Sequence, residues 1–141
     1  MAGVGRRLVA GAVVGSAVGA VGADLNRTHA FNPQWMPHAR FHSVVGVTSV
    51  VGWSLTSLWL LWRPGSPAEQ ELGLKVAALT PVLGYAPFFL AAVVPGAGVE
   101  DRPGDVPRVA GVPVNMLVAG VLTAVSAFGY SAARREAGHH G

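Results

Sequence analysis

The stretch Phe41–Trp62, FHSVVGVTSVVGWSLTSLWLLW, decides the fold. It contains no Asp, Glu, Lys or Arg. A helix needs roughly 20 apolar residues to cross the hydrocarbon layer of a bilayer, so this stretch predicts a transmembrane helix. Trp59 and Trp62 stand where an aromatic belt anchors such a helix, and the tripeptide Arg63-Pro64-Gly65 ends it.

Three further apolar blocks are long enough to cross a bilayer. With the first, they predict spans at about residues 4–23, 41–62, 72–94 and 109–130. Arg6 and Arg7 imitate the start of a secretory signal peptide, but the block after them is rich in glycine and leads into a polar segment, which favours a retained helix. Residues 1–141 are therefore predicted to form one domain, an all-α integral membrane protein folded as an antiparallel four-helix bundle.

Composition excludes several classes of function. The chain has no cysteine, which excludes disulfides, thiolate metal sites and cysteine nucleophiles. The net charge of +3 is spread over the segments that flank the apolar blocks, without a basic stripe interleaved with aromatic residues, so we expect no nucleic-acid partner. No nucleophile motif, phosphate loop or nucleotide fingerprint is present, and the sequence identifies no cofactor.

Basic residues predict the orientation in the membrane. Four spans put both termini on one side, and that side holds more basic residues than the other. The two groups are Arg6, Arg7, Arg63, Lys75, Arg134 and Arg135, against Arg27, Arg40, Arg102 and Arg108. Because positive residues concentrate in cytoplasmic segments, we expect cytoplasmic termini, in the plasma membrane.

Glycines recur at every fourth position of the first span. Gly11, Gly15 and Gly19 would share one helical face. Such a face lets a second helix approach closely in lipid, so it predicts a packing surface and a homo-oligomer as a partner. The alternative is compositional bias in a segment that is rich in Ala, Gly and Val.

The first loop concentrates polar and aromatic side chains between two membrane spans. We predict His38, His42, His29 and Arg40 as catalytic residues and Asp24, Asn32 and Trp35 as ligand-binding residues. Pro37 suits the first turn of the second helix, which puts His38 and His42 one turn apart on the same face. Either imidazole suits proton transfer near neutral pH, while Arg40 or Asn32 would stabilise developing negative charge.

Two alternatives remain open for this loop. Three imidazoles, from His29, His38 and His42, together with the Asp24 carboxylate would suit zinc or iron, although the pattern is neither a zincin helix nor a facial triad. The other alternative is a purely structural loop, in which Trp35 lies at headgroup depth, Arg40 faces phosphates and the remaining polar side chains cap helices.

The remaining candidate residues lie within the spans. Trp53, Tyr85, Phe88 and Phe89 would wall an apolar pocket, and Asn115 needs a polar partner inside the membrane. With the first loop they predict a site for a lipophilic small molecule, such as an isoprenoid, sterol-like or polyketide compound, that enters from the bilayer. As an enzyme the protein would be an isomerase or cyclase. The rival hypothesis is a non-enzymatic assembly or structural subunit that packs through its first helix.

Two resemblances support this architecture. The segment Thr28–His42, THAFNPQWMPHARFH, resembles the signature His-x-Phe/Tyr-Asn-Pro-x-Trp-x-Pro-His-Ala-x-Phe-His of a family of small four-helix microbial membrane proteins. That resemblance implies four spans and an important first loop, without naming a reaction. A weaker one, to emopamil-binding and sigma-2-receptor-like proteins, implies a sterol-like ligand. Those proteins use carboxylates deep among their helices, whereas Asp24 stands at a helix end.

Overall fold

The computed structural model describes residues 3–100 and 104–138, which form four long helices and one short hairpin. The elements are α1 (Val4–Asp24), α2 (Pro37–Trp62), α3 (Pro67–Ala91), β1 (Arg108–Val109), β2 (Val112–Pro113) and α4 (Val114–Gly138). At 1.5 Å per residue the helices are about 32 to 39 Å long, and all four are apolar enough to cross a membrane. The all-α, four-helix membrane fold is confirmed.

Local sequence signals explain where α2 and α3 begin. Pro37 opens α2, where its missing amide proton costs nothing. α3 begins at Pro67, five residues before the predicted span, because Ser66 and Glu69 form a capping box. The Ser66 side chain accepts from the Glu69 amide at 3.4 Å, and the Glu69 carboxylate accepts from the Ser66 amide at 2.8 Å.

The predicted start of the fourth span at residue 109 is wrong. Residues 108–113 form an antiparallel hairpin in which Arg108 pairs with Pro113 and Val109 with Val112. The two turn residues, Ala110 and Gly111, both have positive φ, the backbone that suits a two-residue hairpin. The helix therefore starts only at Val114 and continues to Gly138.

The helices form an up-down-up-down ring in which sequence neighbours are antiparallel. α1 packs against all three other helices, while α2 and α4 lie across the bundle from each other and hardly touch. Buried apolar side chains fill the centre: Val9, Val13, Leu61, Leu74, Ala77 and Ala78. Serine is the buried polar residue type of this core. The hydroxyls of Ser16, Ser57 and Ser126 find a partner on their own or a neighbouring helix, whereas the Ser54 hydroxyl has none in the described part of the chain.

Hydrogen bonds tie α3 to each of the other helices. Ser57 of α2 and Thr80 of α3 lie 2.6 Å apart at their hydroxyls. Ser126 of α4 donates to the Ala78 carbonyl at 2.8 Å. Tyr85 donates to the Ser16 carbonyl of α1 at 2.9 Å. These contacts specify which face of α3 lies inward, since lipid offers no such partners.

The closest helix contacts use other glycines than the predicted ones. A Cβ added to Gly129 of α4 would lie 3.0 Å from the Val9 amide nitrogen of α1, and one added to Gly5 would overlap the Ala133 backbone. A Cβ on Gly73 would overlap the Leu60 carbonyl. These three glycines let α1 meet α4, and α2 meet α3, at backbone distance.

The predicted face of Gly11, Gly15 and Gly19 is divided between two environments. Gly15 faces the Leu122 side chain and Gly19 faces the Tyr85 hydroxyl, both in this same chain. Gly11 is exposed, with no heavy atom near the position of an added Cβ. Two of the three glycines thus serve packing within the bundle, and the homo-oligomer stays a prediction.

Candidate functional site

Asn26 organises the first loop, residues 25–36, around the end of α1. Its amide donates to the carbonyls of Gly22 and Ala23, at 2.9 and 2.6 Å. Its carbonyl oxygen accepts from the Thr28 amide at 2.7 Å and from the His29 amide at 3.2 Å. One side chain thus satisfies the last carbonyls of the helix and turns the chain back. The structural alternative for this loop expected polar side chains to cap helices without singling out Asn26, and an asparagine just beyond an apolar helix is a usual capping signal.

Arg40 and Asn32 close the loop onto α2. Nη2 of Arg40 donates to the Asn32 carbonyl at 2.8 Å, and Oδ1 of Asn32 accepts from the Gln34 amide at 2.9 Å. Both residues were predicted to stabilise charge on a bound molecule. Here their polar groups hold the turn that contains Pro33, which is a structural role.

His29 lies at the inner side of the loop. Its Nδ1 is 2.9 Å from the Thr28 hydroxyl, and its ring meets Trp35 edge-on, with centroids 5.1 Å apart. Asp24, the last residue of α1, is half-buried and close enough to interact electrostatically with His29. The hydrogen bond at Nδ1 and the ring contact hold the imidazole in one orientation.

Tyr85 brings α3 to the same place. Its ring is buried, and its hydroxyl, which donates to the Ser16 carbonyl, also interacts electrostatically with Asp24. No residue in the described ranges donates a hydrogen bond to the Asp24 carboxylate. The structure therefore assembles four predicted residues, Asp24, His29, Trp35 and Tyr85, into one polar cluster at the loop end of the bundle. We call these four residues the Asp24 cluster.

His38 and His42 form a separate pair on the surface of α2. Their Nε2 atoms lie 3.0 Å apart and their rings are perpendicular, with centroids separated by 4.4 Å. One imidazole donates from Nε2, and the other accepts at an Nε2 that carries no proton. Both side chains are exposed. The predicted i, i+4 pairing is present, but it faces away from the bundle interior.

The three-histidine metal site is not assembled. His38 and His42 meet each other without His29. Within residues 3–100 and 104–138, no group of three or more His, Asp or Glu side chains is arranged to hold a metal ion.

Two other predicted site residues lie away from the Asp24 cluster. Trp53 is 56% exposed on the outer face of α2, so it meets lipid instead of lining a shared pocket with Tyr85. Asn115 lies in the first turn of α4, where its amide donates to the Val99 carbonyl at 3.3 Å. Its predicted partner inside the membrane is therefore a loop carbonyl at the bundle end.

An apolar groove lies between α3, the hairpin and α4, and of the four predicted pocket walls only Phe89 lines it. It encloses about 640 Å³. Its walls include Phe89 of α3, Val99, Val112 of the hairpin, and Met116, Gly120 and Val121 of α4. We call this feature the apolar groove. The hairpin is what creates it, because β2 stands beside the first turns of α4 and leaves a gap over Gly120.

Glu100 fixes the loop that leads into the hairpin. Its Oε1 lies 2.6 Å from Nη2 of Arg108, and its Oε2 accepts from the amides of Gly104 and Val106 at 3.2 and 3.3 Å. The hydrogen bond from Arg108 is the main cause that holds the pKa of Glu100 below its ordinary value, and the two amides add to it. Glu100 therefore pairs within its own loop.

A family model covers residues 8–140 of the chain. The protein belongs to a family of unknown function, DUF6640. This membership agrees with the expected resemblance to an uncharacterised family, while the loop signature and the likeness to emopamil-binding proteins stay predictions. No curated protein and no solved structure matches the chain significantly. Any assignment of activity must therefore come from the geometry.

Proposed function

We propose that this DUF6640 protein binds a lipophilic small molecule, of the isoprenoid, sterol-like or polyketide class, in the apolar groove. The observation that carries the proposal is the groove itself, whose volume of about 640 Å³ falls within the usual size of small-molecule sites. Its walls are apolar side chains, which suits a ligand without a polar body.

The position of the apolar groove favours a ligand that arrives from the bilayer. Phe89 and Val121 are 45% and 59% exposed, on helices whose outer surfaces are apolar. A molecule dissolved among lipid chains meets this opening without crossing water. The hairpin carries Arg108 at the outer end, so a polar head would lie near the Glu100–Arg108 pair while the body occupies the groove.

The Asp24 cluster favours acid–base chemistry as a second candidate function, an isomerase or cyclase. Tyr85 lies one turn before Phe89 on α3, so these side chains are neighbours on one helix face. No residue of the Asp24 cluster lines the groove itself, so a reacting molecule would have to extend past Phe89 towards Tyr85 and, beyond it, towards Asp24 and His29. A half-buried carboxylate beside an oriented imidazole is a usual acid–base arrangement. In this proposal His29, instead of His38 or His42, exchanges the proton.

The experiment that tests binding is mass spectrometry of small molecules that co-purify with the protein after incubation with a lipid extract. Gly120→Leu places a side chain in the apolar groove, where an added Cβ already comes within 3.8 Å of Phe89, and should abolish retention. Gly52→Leu is the matched control, because Gly52 is exposed on α2 with no atom near an added Cβ. Equal retention by both variants would contradict binding in the groove.

Catalysis and binding are separated by His29→Gln. Recovery of one compound from the wild type and of an isomer of equal mass from His29→Gln would support turnover, because the variant would hold unconverted substrate. Recovery of the same compound from both would support binding alone. A wild type without any ligand, in a defined oligomer, would favour the rival role as an assembly subunit.

Orientation belongs to the proposal as well. The excess of basic residues beside the helix ends at the termini favours cytoplasmic termini, in the plasma membrane. Reporter fusions at residue 66 and residue 138 should both report the cytoplasmic side, and a fusion at residue 98 the opposite side. Reversed signals at all three positions would mean that the protein has the opposite orientation in the membrane, with the same fold.

A further inference from the structure

A second large cavity lies at the opposite end of the bundle, where α1 and α3 begin and α4 ends. It encloses about 1140 Å³. Its polar lining consists of Arg6, Arg7, Gln70, Glu71, Arg134 and Glu136. We call it the arginine cleft. It is distinct from the apolar groove and from the Asp24 cluster, which lie at the loop end.

The two carboxylates of the arginine cleft are already engaged. Glu71 pairs with Lys75 at 3.1 Å and with Arg134 across the gap between α3 and α4. Glu136 accepts from the Gly5 amide at 3.2 Å, at the beginning of α1. Both negative charges are therefore compensated inside the protein, the second of them by the positive end of a helix dipole.

The positive groups of α1 are not compensated to the same degree. Arg6 uses Nη1 to donate to the Leu61 carbonyl at 3.2 Å, which leaves other guanidinium protons for a further partner. Arg7 is exposed, and its side chain has no hydrogen-bond or ion-pair partner among the described residues. The Gly3 N-cap of α1 has no side-chain cap, so this helix end also adds positive potential.

We propose that the arginine cleft binds the phosphate group of an anionic phospholipid, with Arg6 and Arg7 as its principal ligands. Arginine suits this role because its planar guanidinium donates two parallel hydrogen bonds to phosphate oxygens. Basic pockets between transmembrane helices are a usual place for anionic headgroups.

A lipid fits the cleft better than a soluble phosphate compound. The floor of the arginine cleft includes Leu74, and Val4 on its rim is 65% exposed. A headgroup held by the arginines would leave its acyl chains against this apolar surface, as a phospholipid requires and a free phosphate does not.

The test uses the full chain in phosphatidylcholine nanodiscs, with phosphatidylglycerol as the probe and native mass spectrometry as the readout. Arg7→Gln should weaken binding about fivefold, since a basic residue near a membrane surface contributes on the order of 1 kcal/mol. The double variant Arg6→Gln, Arg7→Gln should weaken it further. Arg27→Gln is the matched control, because it removes the same charge from an exposed residue at the loop end.

Three results would overturn the proposal. Equal binding by wild type and Arg7→Gln would exclude the arginine cleft. This variant should fold, because the Arg7 side chain forms no hydrogen bond or ion pair with the described residues. An equal loss in Arg27→Gln would show a general charge effect. If inorganic phosphate displaced phosphatidylglycerol completely, the ligand of the cleft would be a soluble anion instead of a lipid.

Discussion

The two ends of the bundle are closed by different means. At the end with the termini, glycines bring helix backbones into direct contact, through Gly5 and Gly129 between α1 and α4 and through Gly73 against α2. At the loop end, side chains and loops fill the space between the helices: Tyr85 bridges to α1, Asn26 caps it, and the hairpin stands beside α4. Backbone contact leaves no room between two helices at the contact itself, so the arginine cleft at this end includes the beginning of α3 as a third wall. Closure by side chains and loops leaves both the apolar groove and the Asp24 cluster.

The largest effect is expected at the end closed by glycine. Gly5→Leu should lower the free energy of unfolding by about 3 kcal/mol or more, because its side chain would overlap the Ala133 backbone, which cannot move aside. Thermal unfolding in detergent measures this loss.

Gly11→Leu and Gly15→Leu calibrate that experiment. Gly11→Leu should leave the melting temperature near that of the wild type, since Gly11 has open space around it. The melting temperature of Gly15→Leu should lie between those of Gly5→Leu and Gly11→Leu, because the new side chain displaces only the end of the Leu122 side chain. A large loss in Gly11→Leu would instead reveal a contact with a second copy of the chain, as the homo-oligomer prediction requires.

Removal of a single hydrogen bond at the loop end should lower the free energy of unfolding less than Gly5→Leu does at the other end. Tyr85→Phe removes the bridge to the Ser16 carbonyl and should cost about 1 kcal/mol, the usual size of one hydrogen bond between membrane helices. Tyr130→Phe is the matched control, because the Tyr130 hydroxyl has no described hydrogen bond. Equal effects in the two variants would mean that the bridge contributes nothing to stability.

The histidines should separate the two polar groups of the loop end. His29→Gln should lower stability and change which compound is recovered from the apolar groove, because the imidazole contacts Trp35 and Thr28 beside Asp24. His42→Gln should have less effect on both, since the exposed His38–His42 pair faces away from the groove. If the purified wild type carried stoichiometric zinc and His29→Gln lost it, this order of effects would be contradicted and the three-histidine site would be supported.

The smallest effect concerns the hairpin and depends on pH. The pKa of Glu100 is lower in the folded loop than in the unfolded chain. The stability that ionised Glu100 gives the folded loop is therefore complete when the pH is above the ordinary glutamate pKa, and it is lost as the pH falls through the lowered pKa. Limited proteolysis between residues 100 and 113 should therefore be slow at neutral pH and faster in strong acid. Glu100→Gln should be cleaved faster already at neutral pH, with little further change on acidification.

Much of the candidate site was predictable, and the exceptions have physical causes. The His38–His42 contact follows from helical spacing and from Pro37, which is local information. The association of Asp24, His29 and Trp35 follows from their place in one short loop. Tyr85 joins them through the packing of α3 against α1. The earlier start of α3 was available in the Ser66–Glu69 capping box, while the hairpin was hidden because residues 109–113 are as apolar as a helix.

The sequence by itself determined four helices in a membrane, since span length and hydropathy are properties of each segment alone. It also determined how α2 and α3 begin, through proline and the capping box. Only the tertiary structure decided which residues face inward. In water a helix shows its buried face by the contrast between apolar and polar residues, but α2 and α3 are apolar on all sides, and lipid accepts any of them. Trp53 therefore turned out to face the bilayer and Tyr85 the core, because packing at small residues and hydrogen bonds between helices, instead of hydrophobicity, select the inner face in a bilayer.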